Sequence, residues 1–160
     1  MQEHPSHVVS VSCRTDIAAP ADRVWALVRD FDAMPAWNAG VLGSRIQDGP
    51  ADRVGCSRVL DFGTGGVWVH RLTGLSDEDR VLQYRIVVGP EPSPMGLRNY
   101  RARMQVWPHP QRPQQTCVLE WQADFGTDQP EAMRERASQV FEAGFAGLKQ
   151  LTEKRPGPRR

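Results

Sequence analysis

The feature that most constrains this chain is its last segment, residues 128–153, which reads as one long amphipathic helix placed after a run of short strands. Met133, Ala137, Val140, Phe141, Gly144, Phe145, Leu148 and Leu151 recur at spacings of three and four, so they share one face. Arg134, Glu135, Glu142, Lys149 and Glu153 fall mostly opposite. Asp128 with Glu131 three residues on has the form of a capping box, and Pro130 suits the first turn. Lys154, Arg155 and Pro156 mark the stop. A single helix of this length needs a broad apolar surface to lie on, and a curved antiparallel sheet supplies one. Gly144 and Gly147 sit inside the helix, where each costs roughly 1 kcal/mol against alanine. They signal either close packing against the sheet or room left for a ligand.

The rest of the chain supports a sheet. Residues 7–17 alternate as a first strand, with Val9, Val11, Cys13 and Thr15 on one side. Val24, Leu27, Val28 and Phe31 then give a helical stripe behind Pro20, and a short turn comes next at Met34–Trp37. Glycine- and proline-rich turns divide residues 41–125 into strands expected at 41–47, 53–62, 67–75, 80–88, 97–107 and 116–125. The expected class is α+β: a seven-stranded antiparallel sheet, two short helices after the first strand, and the long closing helix. Residues 1–7 and 154–160 are expected to be flexible tails around one domain at 8–153.

Alternation assigns faces. Tyr100, Ala102, Met104 and Val106 are apolar between Arg101, Arg103 and Gln105, and Leu119, Trp121, Ala123 and Phe125 alternate with Glu120, Gln122 and Asp124. Carrying that inner face across the sheet puts Trp68, His70 and Leu72 inside, with Arg58, Leu60 and Phe62, and with Tyr84, Ile86 and Val88. A one-residue slip would turn Arg58 outward toward Asp61, and His70 also reads as a hydrogen-bonded core histidine; both alternatives stay open.

Several function classes are disfavoured. The net charge is +1 and no basic stripe alternates with aromatics, so nucleic acid is a poor partner. No apolar run suits a bilayer span and no leader pattern succeeds the first residues, so a cytoplasmic location is expected. Cys13, Cys56 and Cys117 are widely spaced and read as small buried hydrophobes, without a disulfide framework or metal site. No phosphate loop, metal-ligand spacing or cofactor motif is present, and the acidic cluster Asp77–Asp79 reads as a solvated turn.

Val24-Trp25-Ala26-Leu27-Val28-Arg29-Asp30-Phe31, Gly55-Cys56-Ser57-Arg58, His70-Arg71-Leu72 and Leu97-Arg98-Asn99-Tyr100 resemble the START-like (SRPBCC) superfamily in its bacterial polyketide cyclase/dehydrase branch. Plant abscisic-acid receptors and lachrymatory-factor synthase look like relatives on the same motifs. The resemblance covers about residues 8–152 and implies a helix-grip fold, in which the sheet wraps the C-terminal helix around a hydrophobic cavity. It also marks departures. The relatives' cavity glutamate is replaced by His70, their ligand-holding lysine by Gly43, and their proline-containing gate loop by Gly63-Thr64-Gly65-Gly66; the synthase's arginine partner is kept as Arg58.

Two functional classes emerge. In a carrier, Trp37, Leu60, Trp68, Tyr84, Tyr100, Met104 and Phe145 would wall a cavity for a small hydrophobic or aromatic, polyketide-like ligand, with Arg58 anchoring an anionic oxygen. In a cofactor-free cyclase or dehydratase, His70 would move protons near neutral pH and Arg58 would stabilise an oxyanion. A third class is a co-chaperone-like interaction module with a filled core. Residues 89–96, with three prolines between two glycines, are a candidate lid. A monomer or homodimer is expected.

Overall fold

The computed structural model describes residues 7–153. The elements run β1 (His7–Ile17), α1 (Ala21–Val28), α2 (Met34–Trp37), β2 (Gly43–Gln47), β3 (Ser57–Asp61), β4 (Val67–Ser76), β5 (Val81–Val88), β6 (Arg98–Pro108), β7 (Cys117–Thr127) and α3 (Pro130–Thr152). The strands form one antiparallel sheet in the order β1-β7-β6-β5-β4-β3-β2. The first and last strands of the chain are therefore neighbours, and α3 leaves β7 to lie back across the concave face. This is the α+β helix-grip arrangement expected from the sequence.

The inner faces of β6 and β7 are buried as the alternation requires, from Tyr100 to Val106 and from Leu119 to Phe125. Trp121 stacks on Phe141 of α3 with ring centroids 4.4 Å apart, which seats the helix on the β1–β7 side of the sheet. Trp25 is buried, and its indole N–H donates to Asp77 at 2.8 Å. Asp77 also accepts from Arg29 at 2.7 Å, and these two donors, Arg29 foremost, hold its carboxyl below the usual range. The acidic turn is thus partly a tether for α1.

The helix glycines settle into close approach, but against α2 as much as the sheet. A Cβ on Gly144 would stand 2.8 Å from the Trp121 ring and 2.9 Å from the Trp37 ring. A Cβ on Gly147 would overlap the backbone carbonyl of Trp37. These two positions bring α2 and α3 together nearly backbone to backbone.

Five expectations need correction. Asp128 does not cap α3: its backbone N–H donates to Met95 O and its carboxylate accepts from Arg98, so Gln129 is the cap position and the Thr127 hydroxyl accepts from its N–H at 3.1 Å. Leu151 is 52% exposed because the helix turns Thr152, not Leu151, inward. The third strand is shorter than 53–62, because Arg53 and Cys56 close a turn and Gly55 takes a φ of 101°. Val88 is not an inner residue: the β4–β5 register shifts between Val69 and His70, the extra residue Val87 is absorbed, and Val88 pairs with Val69 at 56% exposure. His7, expected in the first tail, opens β1 instead; the rest of the expected tails and the stop signals at 154–156 lie outside the described residues.

Candidate functional site

The antiparallel ladder of β3, β4 and β5 assembles the polar centre of the concave face. Arg58 on β3 is directly opposite His70 on β4, and Leu72, the next inward residue of β4, is opposite Tyr84 on β5. Arg58 is 2% exposed and His70 5%. The outward-facing alternative for Arg58 is thereby excluded.

Arg58 lies between two rings, 4.2 Å from the Phe31 centroid and 4.8 Å from that of Tyr84. It has no carboxylate partner among the described residues. Its Nη1 donates to Phe31 O at 3.3 Å, and its Nε donates to His70 Nδ1 at 3.3 Å, with Nη2 at 3.2 Å from the same atom. The aromatic faces supply the negative potential that a counter-ion would otherwise provide. Burial lowers the Arg58 pKa to about 10, which leaves it charged at neutral pH.

This geometry dictates the state of His70. A guanidinium has donors and no acceptor, so Nδ1 must present its lone pair and the ring proton must sit on Nε2. Burial, and then the Arg58 charge, hold the imidazole pKa well below 6.5. His70 is therefore a neutral, fixed donor at pH 7. The expectation that it shuttles protons near neutral pH is corrected on both counts, since its basic nitrogen is occupied and its pKa is displaced. The ring is also stacked on Tyr84, with centroids 4.6 Å apart. The Tyr84 hydroxyl in turn accepts from Trp121 Nε1 at 3.2 Å.

A pH signature results. The unfolded chain takes up a proton at His70 as pH falls through 6.5, while the folded chain resists until well below that. The unfolded state then binds more protons, so stability is lost on acidification below 6.5 and not above it. One such group contributes about 1.4 kcal/mol per pH unit in that window. Urea unfolding of the parent and of His70→Phe should show the parent losing more stability between about pH 6.5 and 5.5, by roughly that amount. Parallel losses would show that His70 protonates normally in the fold.

His70 opens onto a cavity of about 90 Å³ lined by Met34, Phe62, Trp68, His70, Tyr84, Ile86, Leu97, Tyr100, Met133, Arg136, Ala137 and Val140. The lining is mostly apolar. Its polar groups are His70, the two tyrosines and, from α3, Arg136, which is exposed. Tyr100 is held protonated, burial and the adjacent Tyr84 hydroxyl pushing its pKa well above 10. Of the residues expected to wall the cavity, Trp68, Tyr84 and Tyr100 do so; Trp37, Leu60, Met104 and Phe145 are buried in the packed core beyond it. Arg58 stands behind His70 and does not reach the cavity, its donors being engaged by His70 and Phe31. Met34, Phe62, Leu97, Met133 and Arg136 are cavity residues that the sequence reading does not single out as such. Arg136 carries a usable signal, since with Met133, Ala137 and Val140 it completes an i, i+3, i+4, i+7 set.

A second hollow, of about 210 Å³, adjoins the first and shares Trp68, Ile86, Leu97 and Tyr100 with it. Residues Gly89, Pro90, Glu91 and Ser93 border this hollow. That segment is tied at both ends. A Cβ on Gly89 would meet the Trp68 ring at 2.8 Å, and Met95 O accepts from the Thr127 hydroxyl at 2.7 Å and from Asp128 N at 2.9 Å. Trp68 is itself anchored by its N–H to Gly65 O at 2.8 Å.

Comparison with known proteins agrees with this architecture. No curated protein matches the chain. Among solved structures, the protein XoxI from Bacillus cereus superposes with a TM-score of 0.78 at 22% identity, covering 91% of this chain and 96% of that one. A START superfamily protein from Mycobacterium smegmatis gives 0.73 at 19% identity, over 90% of this chain and 97% of that one. Norcoclaurine synthase from Thalictrum flavum, in complex with dopamine and hydroxybenzaldehyde, gives 0.71 at 16% identity, over 91% and 87%. At these identities the likeness is one of fold. The sequence itself matches the model of a family described as polyketide cyclase / dehydrase and lipid transport over residues 8–153, nearly the whole chain. With its helix-grip sheet, closing helix and apolar hollow, the chain belongs to that family, within the START-like superfamily.

Proposed function

We propose that this protein binds a small hydrophobic or aromatic molecule carrying an oxygen acceptor, held in the cavity with that oxygen against His70 Nε2–H. The carrying observation is the Arg58–His70 pair. A buried cation fixes the imidazole as a donor, and the face opposite Arg58 lines an apolar cavity. The family supports a hydrophobic ligand in general terms. The oxygen requirement comes from the donor, because a ligand without an acceptor would leave His70 Nε2–H unpaired against a mostly apolar lining. The likeness in fold to norcoclaurine synthase supports aromatic ligands of modest size.

A cyclase or dehydratase without cofactor is the second reading. In it, His70 Nε2–H and the Tyr100 hydroxyl would stabilise a developing enolate or phenolate. Binding is better supported, because none of the cavity's lining residues is a carboxylate and His70 is not placed to accept a proton. The interaction-module reading requires a core without such a hollow. No helix among the described residues is long and apolar enough to cross a membrane.

Native mass spectrometry of purified protein is expected to show a co-purifying small molecule. A paired titration tests the donor. The parent should bind 1-naphthol more tightly than naphthalene, and His70→Phe, which keeps an aromatic ring on Tyr84, should weaken naphthol about ten-fold while leaving naphthalene nearly unchanged. Equal effects on both ligands would remove the donor role.

A further inference from the structure

The outer face of the sheet, opposite the cavity, carries an arrangement that the ligand site does not use. Arg71, Arg85 and Arg101 are directly opposite one another on β4, β5 and β6. Like charges in directly opposed positions destabilise a sheet. Among the described residues none of the three makes an ion pair or side-chain hydrogen bond, although neighbouring Arg14 and Arg103 both reach Glu120. The row ends at Asp124, opposite Arg101, and that carboxylate accepts from the Ser10 hydroxyl at 2.6 Å. Arg85 and Arg101 are exposed and Arg71 is half-buried.

One step along the strands lies a second row of different chemistry. Val59 is opposite Val69, and Val69 is opposite Val88. The β5 register shift creates this row, because it brings Val88 into line with Val69 at 56% exposure. Three aligned valines thus run beside three aligned arginines that make no ion pair, on the same face of the sheet. Apolar side chains left on a sheet surface next to directly opposed like charges lower stability on both counts, so a folding role does not explain them.

We infer that this face docks an acidic amphipathic helix of a partner protein, lying across β3–β6. The dimensions agree. Three positions on adjacent strands span about 9.6 Å at a strand spacing of about 4.8 Å. Three residues on successive helix turns span about 10.8 Å at a pitch of 5.4 Å. Carboxylates at i, i+4 and i+7 meet the three guanidiniums, and an adjoining apolar stripe meets the valines. The valine row favours a protein helix over nucleic acid, which would use the charges and leave the apolar row uncovered.

The test uses the intact protein and a synthetic helix of about 18 residues with leucines on one stripe and glutamates on the next, followed by fluorescence anisotropy. Binding should be saturable, weaken as salt is raised, and fall at least ten-fold in Arg71→Gln/Arg85→Gln/Arg101→Gln and several-fold in Val88→Ser. The triple variant should melt at or above the parent's temperature and keep its naphthol affinity, since it relieves repulsion on the face of the sheet turned away from the cavity. The inference is overturned if a peptide of the same composition with its glutamates scattered binds equally well. It is likewise overturned if the triple variant binds the helix like the parent, if it melts well below the parent, or if duplex DNA or anionic vesicles bind this face more tightly than the helix does.

Discussion

Replacing Gly147 by alanine is expected to destabilise the fold by more than about 3 kcal/mol, enough to lower the melting temperature by about 10 °C in a chain of this size. On helix propensity alone the substitution would gain roughly 1 kcal/mol. The close approach reverses the sign. The added methyl group would overlap the Trp37 carbonyl, and backbone cannot rotate aside as a side chain can. Either α2 moves off α3 or the helix bends, and both disturb Trp37, which packs edge-on against Trp121 at 5.8 Å. Gly144→Ala should cost less, because its obstacles are two ring edges. Thermal unfolding followed by circular dichroism checks both. A Gly147→Ala protein as stable as the parent would mean that α2 is not held where we describe it.

The second large effect concerns Arg58, where two substitutions should separate. Arg58→Ala removes a long buried side chain and orphans Phe31 O and His70 Nδ1. Those losses amount to several kcal/mol. They are offset by relief of the buried charge, whose lowering to about 10 corresponds to about 3 kcal/mol. The net expectation is a loss of about 2–4 kcal/mol by urea unfolding. Arg58→Met keeps most of the volume between Phe31 and Tyr84 and should fall within about 1.5 kcal/mol of the parent. In that variant the His70 pKa should rise, because the Arg58 charge is gone. It should remain below 6.5, because burial is the larger cause of its depression. Nitrogen-15 NMR of the imidazole reads both the pKa and the tautomer. An unchanged tautomer preference in Arg58→Met would show that the arginine does not set it.

How far the sequence can be read depends on what each signal encodes. Alternation from Tyr100 to Val106 and from Leu119 to Phe125 is decisive, since these strands, paired on both sides, have one face in the core and one in water. Arg58 and His70 are placed by register from them. Val88 escapes the pattern because nothing in its neighbourhood marks the shifted register; the bulge shows only in strand pairing. The helix start misleads because Asp128 has the right residue type at the right spacing, and only the folded chain shows its carboxylate engaged by Arg98. For Trp37, Leu60, Met104 and Phe145 burial is legible but cavity lining is not. Hydrophobic pattern tells which side chains leave water, and the gaps between them depend on packing. The role of Arg58 behind His70 is hidden for the same reason, since residue type suggests an anion anchor and only the distances show its donors already engaged.

The glycine contacts have one further consequence, for motion. Gly144 and Gly147 fasten the later half of α3 to α2, whereas Met133, Arg136, Ala137 and Val140, which face the cavity, belong to its earlier half. The helix is thus clamped to α2 along its later half and borders the hollow with the earlier one. Any widening of the hollow would fall to that earlier half, which the Arg134 side chain ties to Ser10 O at 2.8 Å, and to Trp68 and Leu97, which stand between the two hollows. A pivot of that half would then set the room available, with the Trp37 carbonyl as its fulcrum.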